Sequence, residues 1–539
     1  MTGFEHALLL ILLTTALSVI GRWLPWPQPI TYVVGALAVG LWPDFPHVHL
    51  EPEFFFLCFV PPLLFSDGWM MPLREFVQAK RTILILAIGL VVFTTLVVGF
   101  VAHALVPELP LAMAFALGAV ISPTDAVAVS AITERLNVPS RLTIVLNGES
   151  LMNDATGLVA FKVALAAMVV GSFSVRSIAV EFLVLALGGF GAGLVIAYGI
   201  GCARDLLRKL HGTDPLIEVT VSLMTPYAAY LAATMLNVSA ILAVVAAGLY
   251  SGWRDPVRMD VETRQTTMTV WATVLFWLNG LAFVLLGLQF PDLLAAVSGV
   301  YSPPQLLLLT LAISGVAIAG RLVLAFPAVY LPFLLFPRIR RTEPRPSWRS
   351  VLVGGWAGMR GTITLAAALS IPLLEPDGRP FPARDLVIFL SFGTIVVTLL
   401  LQGTTLEALI HRLGLHGDDT LAREEQTARI AAIEAALKLL RAYDTMGLSS
   451  EETAALGYVL AEYEHRLAAL TAEGETRASA RRRRHASRGF QLEALQTERA
   501  TLDDLWRRGT ITDNTYRPLQ KLLDHEEAML NTRMESKEA

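Results

Sequence analysis

The 539-residue sequence predicts an all-α polytopic membrane protein: about thirteen transmembrane helices, two of them broken, then a helical tail. Three observations carry this. Apolar residues make up 54% of the chain and fall in runs near the length of about 20 residues that a bilayer-spanning helix needs. Charge is spread unevenly, with 24 Lys/Arg and 24 Asp/Glu through residue 412 but 18 and 22 in the remaining 127 residues. Charged side chains nevertheless intrude into three apolar runs, at Ser122-Pro123-Thr124-Asp125, Gly148-Glu149-Ser150-Leu151-Met152-Asn153-Asp154 and Gly358-Met359-Arg360-Gly361. A charge at mid-bilayer costs about 2.5–3.5 kcal/mol even on the mildest scale, so these intrusions mark function, and buried anions with a buried cation suggest an ion path.

The apolar segments lie near 4–21, 29–43, 53–70, 82–105, 110–131, 142–170, 177–201, 215–234, 236–252, 268–290, 304–335, 350–374 and 384–408. The second and ninth are short enough to be tilted or partial spans. No basic residue precedes the first run, so it reads as a retained helix rather than a cleaved leader. With the N-terminus outside, the inward loops hold seventeen Lys/Arg and the outward loops three, Arg176, Arg379 and Arg384. That bias supports an odd count and puts the tail in the cytoplasm. Three basic residues remain at membrane depth: Lys162, which can snorkel, and Arg321 and Arg360, which need partners. The domain boundary falls between Gly414 and Asp419, giving a transmembrane domain 1–412 and a tail 413–539. Cys58 and Cys202 lie in or beside apolar runs and do not form a disulfide framework.

Pro123 breaks the fifth segment, and Gly354, Gly355, Gly358 and Gly361 break the twelfth. Freed backbone groups are costly in lipid unless they line a cavity. The two segments are seven apart and therefore run in opposite directions, so segments 1–6 and 8–13 read as two six-helix units of inverted topology. Matching interruptions in inverted halves point to a transport site. Ser150 and Asp154, four apart, share a helix face, Glu149 and Asn153 share the next, and Asp125 with free carbonyls near Thr124 comes from the fifth segment. These are hard oxygen donors suited to Na⁺ or Li⁺, and no His or Cys joins them as zinc would require. A buried carboxylate that holds a proton or a metal ion, but not both well, is sufficient for obligatory exchange. Asp154 is the expected shared carrier and Asp125 a supporting ligand; the alternative is that one or both pair with Arg360 or Arg321 as structural bridges, which is the preferred reading for Glu149 with Arg360.

At these residues the chain resembles the sodium/proton exchangers of the cation:proton antiporter-1 family. The resemblance runs through the transmembrane domain and rests on Pro61-Pro62-Leu63-Leu64-Phe65, Ser122 to Val127, Gly148 to Asp154 with its Asn-Asp pair, and Gly358 to Gly361. It implies thirteen helices, a homodimer in the cell membrane, and a mobile core crossing at the two broken helices. It implies Asp154 as transport carboxylate, with Asp125, Ser150 and the Thr124 carbonyl completing a site for transported Na⁺, and a structural ion pair between Glu149 and Arg360. Asp67 stands where many relatives have Glu, either as a ligand or as a helix-end cap. Asn153 before Asp154 is similar to the electroneutral, one-for-one branch, making Asn153 an organiser of the site. Arg321 matches a basic residue expected to be structural. Expected partners are monovalent cations, protons and membrane lipids, with no cofactor and no nucleic acid.

The tail reads as helical over 420–470, with apolar stripes at Ile433, Leu437 and Leu440 and at Leu456, Leu460, Tyr463 and Leu467. A basic interruption at Arg481–Arg484 is expected next, either a contact for anionic lipid or a solvated cluster. Further helices are expected from about 489 and over Leu519–Leu530, with a turn at Gly509–Thr515. A regulatory or dimerising role is the modest expectation. Competing classes are K⁺/H⁺ exchange by the same machinery, an intramembrane aspartyl enzyme, whose Gly-x-Gly-Asp pattern is missing, and a channel, for which no repeated filter loop is visible.

Overall fold

The computed structural model describes residues 3–43, 45–46, 51–133, 135–136, 138–170, 175–342, 345–374, 379–415, 417, 419–443, 449–471, 474–508 and 510–535. The described residues are overwhelmingly helical and form two compact units, Met1–Gly417 and Asp418–Ala539. In the first unit every apolar segment read from the sequence coincides with a helix or a broken helix. Among the described residues nine helices are long and apolar enough to cross a membrane, and Glu5–Gly21 and Gln28–Gly40 are shorter apolar helices.

Segment three is Pro52–Met70, segment four Leu73–Leu105 with a wider π turn at Ile85–Leu90, and segment six the uninterrupted helix Ser140–Val170. The fifth is split into Leu111–Ile121 and Ala126–Thr133, and the twelfth into Trp348–Trp356 and Thr362–Leu369. The fifth breaks because Pro123 has no amide hydrogen and its ring clashes with the preceding turn. The carbonyl that Pro123 leaves free, Ala119 O, instead accepts from Ser122 Oγ at 2.8 Å.

Two apolar clusters organise this unit. One joins buried residues of segments one, two, four to six and ten to thirteen. The other centres on segments three and seven to ten, including Leu64, Phe65, Val245 and Trp271. Within the second, segments three and nine (Ala240–Arg258) meet backbone to backbone: a Cβ added at Gly248 would lie 2.5 Å from Phe65 O. Only glycine permits that approach.

Several arginines counted as loop cations belong to a partly buried ion network. Arg204 bonds Glu218 at 2.7 Å and Asp255 at 3.0 Å, Arg208 bonds Glu218 at 2.5 Å, and Arg254 and Arg258 both reach Asp205. The network ties together the ends of segments seven (Val175–His211), eight (Pro215–Met235) and nine. Lys162 is exposed, and Cys58 and Cys202 are free thiols.

The second unit contains two helical hairpins, Asp419–Tyr443 with Ser450–Thr471 and Gly474–Arg507 with Asp513–Glu535. Leu437 is buried, and Trp506 stacks on Tyr516 with ring centroids 5.0 Å apart. The expected basic interruption is not one: residues 481–484 sit within a continuous helix, where a run of arginines is a good helix former. Their side chains, and Gly509 of the expected turn, lie outside the described residues.

Candidate functional site

The broken helices cross at their unwound stretches, residues 122–125 and 357–361. Asp125 N, which an unbroken helix would direct to Ile121 O, donates to Met359 O at 2.8 Å. Ile121 O accepts from Arg360 Nε at 2.8 Å, and Arg360 also donates to Gly358 O. One guanidinium therefore satisfies carbonyls beyond the C-terminal ends of two half-helices, where the helix dipoles are negative. The Arg360 amide is held by Thr398 Oγ1 at 3.2 Å, on segment thirteen (Arg384–Leu413).

Asp125 serves the half-helix that follows it. Its Oδ1 accepts from Val127 N at 2.8 Å, as a cap does at a helix N-terminus. Its other face lies against Gly361, where an added Cβ would stand 2.6 Å from Asp125 Cγ. The absence of a side chain at Gly361 is what lets the two unwound stretches close together.

The crossing borders a small cavity of about 40 Å³, lined by Asp67, Thr124, Asp125, Ser150, Asp154, Asn279, Phe283 and Gly361 to Thr364, among others. That is room for about one water molecule or a dehydrated ion. Thr124 Oγ1 lies 3.2 Å from Ser150 Oγ and accepts from Asn153 Nδ2 at 2.9 Å, so Asn153 braces the wall from behind. Asp67 and Asp154 have no hydrogen-bond or ion-pair partner among the described residues, and Asp125 bonds only backbone amides. Three carboxylates thus share one cavity, and no basic residue is among its described lining residues. Among the described residues they do not converge tightly enough for a resident metal site.

The expected pair of Glu149 with Arg360 is corrected. The Glu149 carboxylate is held by Arg321 through both oxygens, with Arg321 Nη2 at 3.0 Å from Oε2 and 3.2 Å from Gly354 O. Glu149 and Arg321 are both almost completely buried. Arg360 is occupied by the carbonyls that the helix breaks release, so the planar fork of Arg321 is the one left for a bidentate contact. Asn279, on Val261–Leu288, escaped the sequence reading because an uncharged amide does not stand out by charge. Its signal was its isolation: it is the one amide, hydroxyl or charged residue between Thr273 and Gln289.

A family profile described as the transmembrane sodium/hydrogen exchanger matches residues 8–412, which include all of these groups. The chain belongs to the sodium/hydrogen exchanger family. It is a multi-pass membrane antiporter of monovalent cations and protons, not an enzyme. It is 36% identical to the uncharacterized Na⁺/H⁺ exchanger YjcE of Escherichia coli (strain K12), covering 98% of each chain. It is 35% identical to a sodium, potassium, lithium and rubidium/H⁺ antiporter of Bacillus subtilis (strain 168), over 96% of this chain and 77% of that one. The solved sodium proton antiporter MjNhaP1 of Methanocaldococcus jannaschii shares the fold, with TM-score 0.60 at 19% identity over 76% of this exchanger and 98% of that chain.

Proposed function

We propose that this exchanger moves Na⁺ or Li⁺ against H⁺ one for one, with Asp154 holding the cation and the proton in turn. The observation that carries the reading is the cavity bounded by Asp67, Asp125 and Asp154 without a basic neighbour. Three carboxylates cannot all remain ionised there without a counter-charge. Each must be neutralised by a proton or share a metal cation, and those two occupants exclude one another.

Asp154 is 9% exposed on an unbroken helix and has no hydrogen-bond or ion-pair partner among the described residues, which leaves its carboxylate for cargo. Asp125 is committed to its half-helix through one oxygen and offers the other. Thr124 and Ser150 add neutral oxygens, and Asn153 keeps Thr124 in place. Asp67 approaches from segment three as a ligand on the opposite wall. Cargo of one positive charge in either direction makes the cycle electroneutral. Access alternates as the wall carrying Asp125 and Asp154 moves against the wall carrying Asp67, within two inverted six-helix units.

The protein acts in the cell membrane as a homodimer, with its N-terminus outside and its tail in the cytoplasm, a topology supported by the excess of Lys/Arg in the inward loops. K⁺ as an additional cargo is a second reading, favoured by the printed range of the Bacillus subtilis relative.

The test is proton flux in liposomes loaded with a pH dye, with Na⁺, Li⁺ or K⁺ added to wild type and Asp154→Asn under an imposed proton gradient. Cation-dependent flux in wild type, insensitive to a voltage clamp and lost in the variant, is expected. Full flux in the variant would remove Asp154 from the carrier role, and no flux with any cation would overturn the exchange reading.

A further inference from the structure

We infer that Asn279 is a cation-only ligand of the transport site, one that sets the balance between cation and proton. The inference rests on the exchange reading above. Asn279 lines the cavity from segment ten, one helical turn before Phe283, together with Leu63, Leu64 and Asp67 of segment three. It stands in fifteen otherwise apolar residues, 274–288. An amide in such a helix normally bonds a neighbouring helix, because an unmet amide is costly away from water. The Asn279 side chain has no hydrogen-bond partner among the described residues. Its neighbour Gly280 provides the close packing, against Thr14, so the helix contact does not depend on the amide.

The neutral oxygens on the other wall are already partly engaged. Thr124 Oγ1 accepts from Asn153, and the Thr124 and Ser150 hydroxyls face one another. The Asn279 amide oxygen is an uncommitted hard donor of the kind that suits Na⁺ and Li⁺. Unlike the carboxylates, an amide takes up no proton in the physiological range. Its attraction therefore acts on the metal ion alone and leaves the proton affinity of Asp154 unchanged. Losing it should weaken cation binding by the same factor at every pH.

That gives a signature a structural role would not produce. Apparent KM for Na⁺ and Li⁺ is measured against pH in liposomes for wild type and Asn279→Leu, which keeps the branched shape without the oxygen. The expected result is a curve raised about tenfold at every pH, with its break at the same pH and Vmax within about twofold. Asn279→Gln, which restores a neutral amide oxygen, should bring KM back towards wild type with the break unmoved. If the Leu variant does not insert, Asn279→Ala, which also removes the oxygen, is read in the same way. An unchanged KM in an inserted variant, or a KM shift accompanied by a displaced break, overturns the inference. Wild type without cation-dependent flux would instead overturn the exchange reading on which it rests.

Discussion

Removing one partner of the Glu149–Arg321 pair should destabilise the transmembrane unit severely, while removing both should not. The two side chains are 2% and 4% exposed, so the pair belongs to the fully desolvated class. Breaking such a pair from one side costs roughly 3–5 kcal/mol, because the survivor is left as an uncompensated buried charge. That is about two to three and a half powers of ten in the folding equilibrium. Arg321→Met should be the worse single change, since Glu149 has no other hydrogen-bond or ion-pair partner among the described residues and meets Arg360 only at longer range. Glu149→Gln leaves Arg321 the carbonyl of Gly354 at 3.2 Å. The double variant Glu149→Leu with Arg321→Met removes both charges and should lose less than Arg321→Met alone. Unfolding of the purified protein in mixed micelles by added SDS, followed by circular dichroism, gives the free energies for a double-mutant cycle. A parallel cycle of Glu149 with Arg360 is the control. Near-additivity in the Arg321 cycle, or stronger coupling in the Arg360 cycle, would refute the assignment.

Two other outcomes are expected. Gly361→Ala should cut flux at least about tenfold while the protein still inserts and folds, because the new methyl group displaces Asp125 rather than breaking the core; flux and retained thermal stability are read together, and wild-type flux would show that Asp125 need not keep its place. At low pH, apparent KM for Na⁺ should rise about tenfold per unit fall in pH, flattening at high pH with Vmax unchanged, since one carboxylate is contested by one proton. Initial rates over a pH series check this, and a falling Vmax at constant KM would mean that protons act elsewhere.

The charged members of the site were legible because a carboxylate in an apolar run is conspicuous. Asp125, Glu149 and Asp154 stood out for that reason, and Pro123 and the glycines around Arg360 announced the breaks. The pairing was not legible. Arg321 and Arg360 are both mid-span cations, and choosing between them depends on which carbonyls the breaks release, a matter of packing rather than pattern. Asn279 carries no charge and breaks no helix, so its isolation in an apolar stretch was a faint signal that the cavity makes plain. The arginines at 204, 208, 254 and 258 looked like solvated loop residues because their acidic partners, Asp205, Glu218 and Asp255, are scattered over three helices. In the tail, four consecutive arginines suggested a break, but helix propensity favours them where charge repulsion alone would not.

Unwound backbone in the middle of a helix is usually where a protein bends. Here it is cross-braced: Asp125 N to Met359 O, Arg360 to Ile121 O and Gly358 O, and Arg360 N to Thr398. The crossing is therefore a rivet rather than a hinge. Its amides should resist hydrogen exchange as one block with segment thirteen, although few of them have helical partners. Any movement of the site should then fall at the contact between that block and segments three and ten, where Asp67 and Asn279 line the cavity with no hydrogen bond among the described residues.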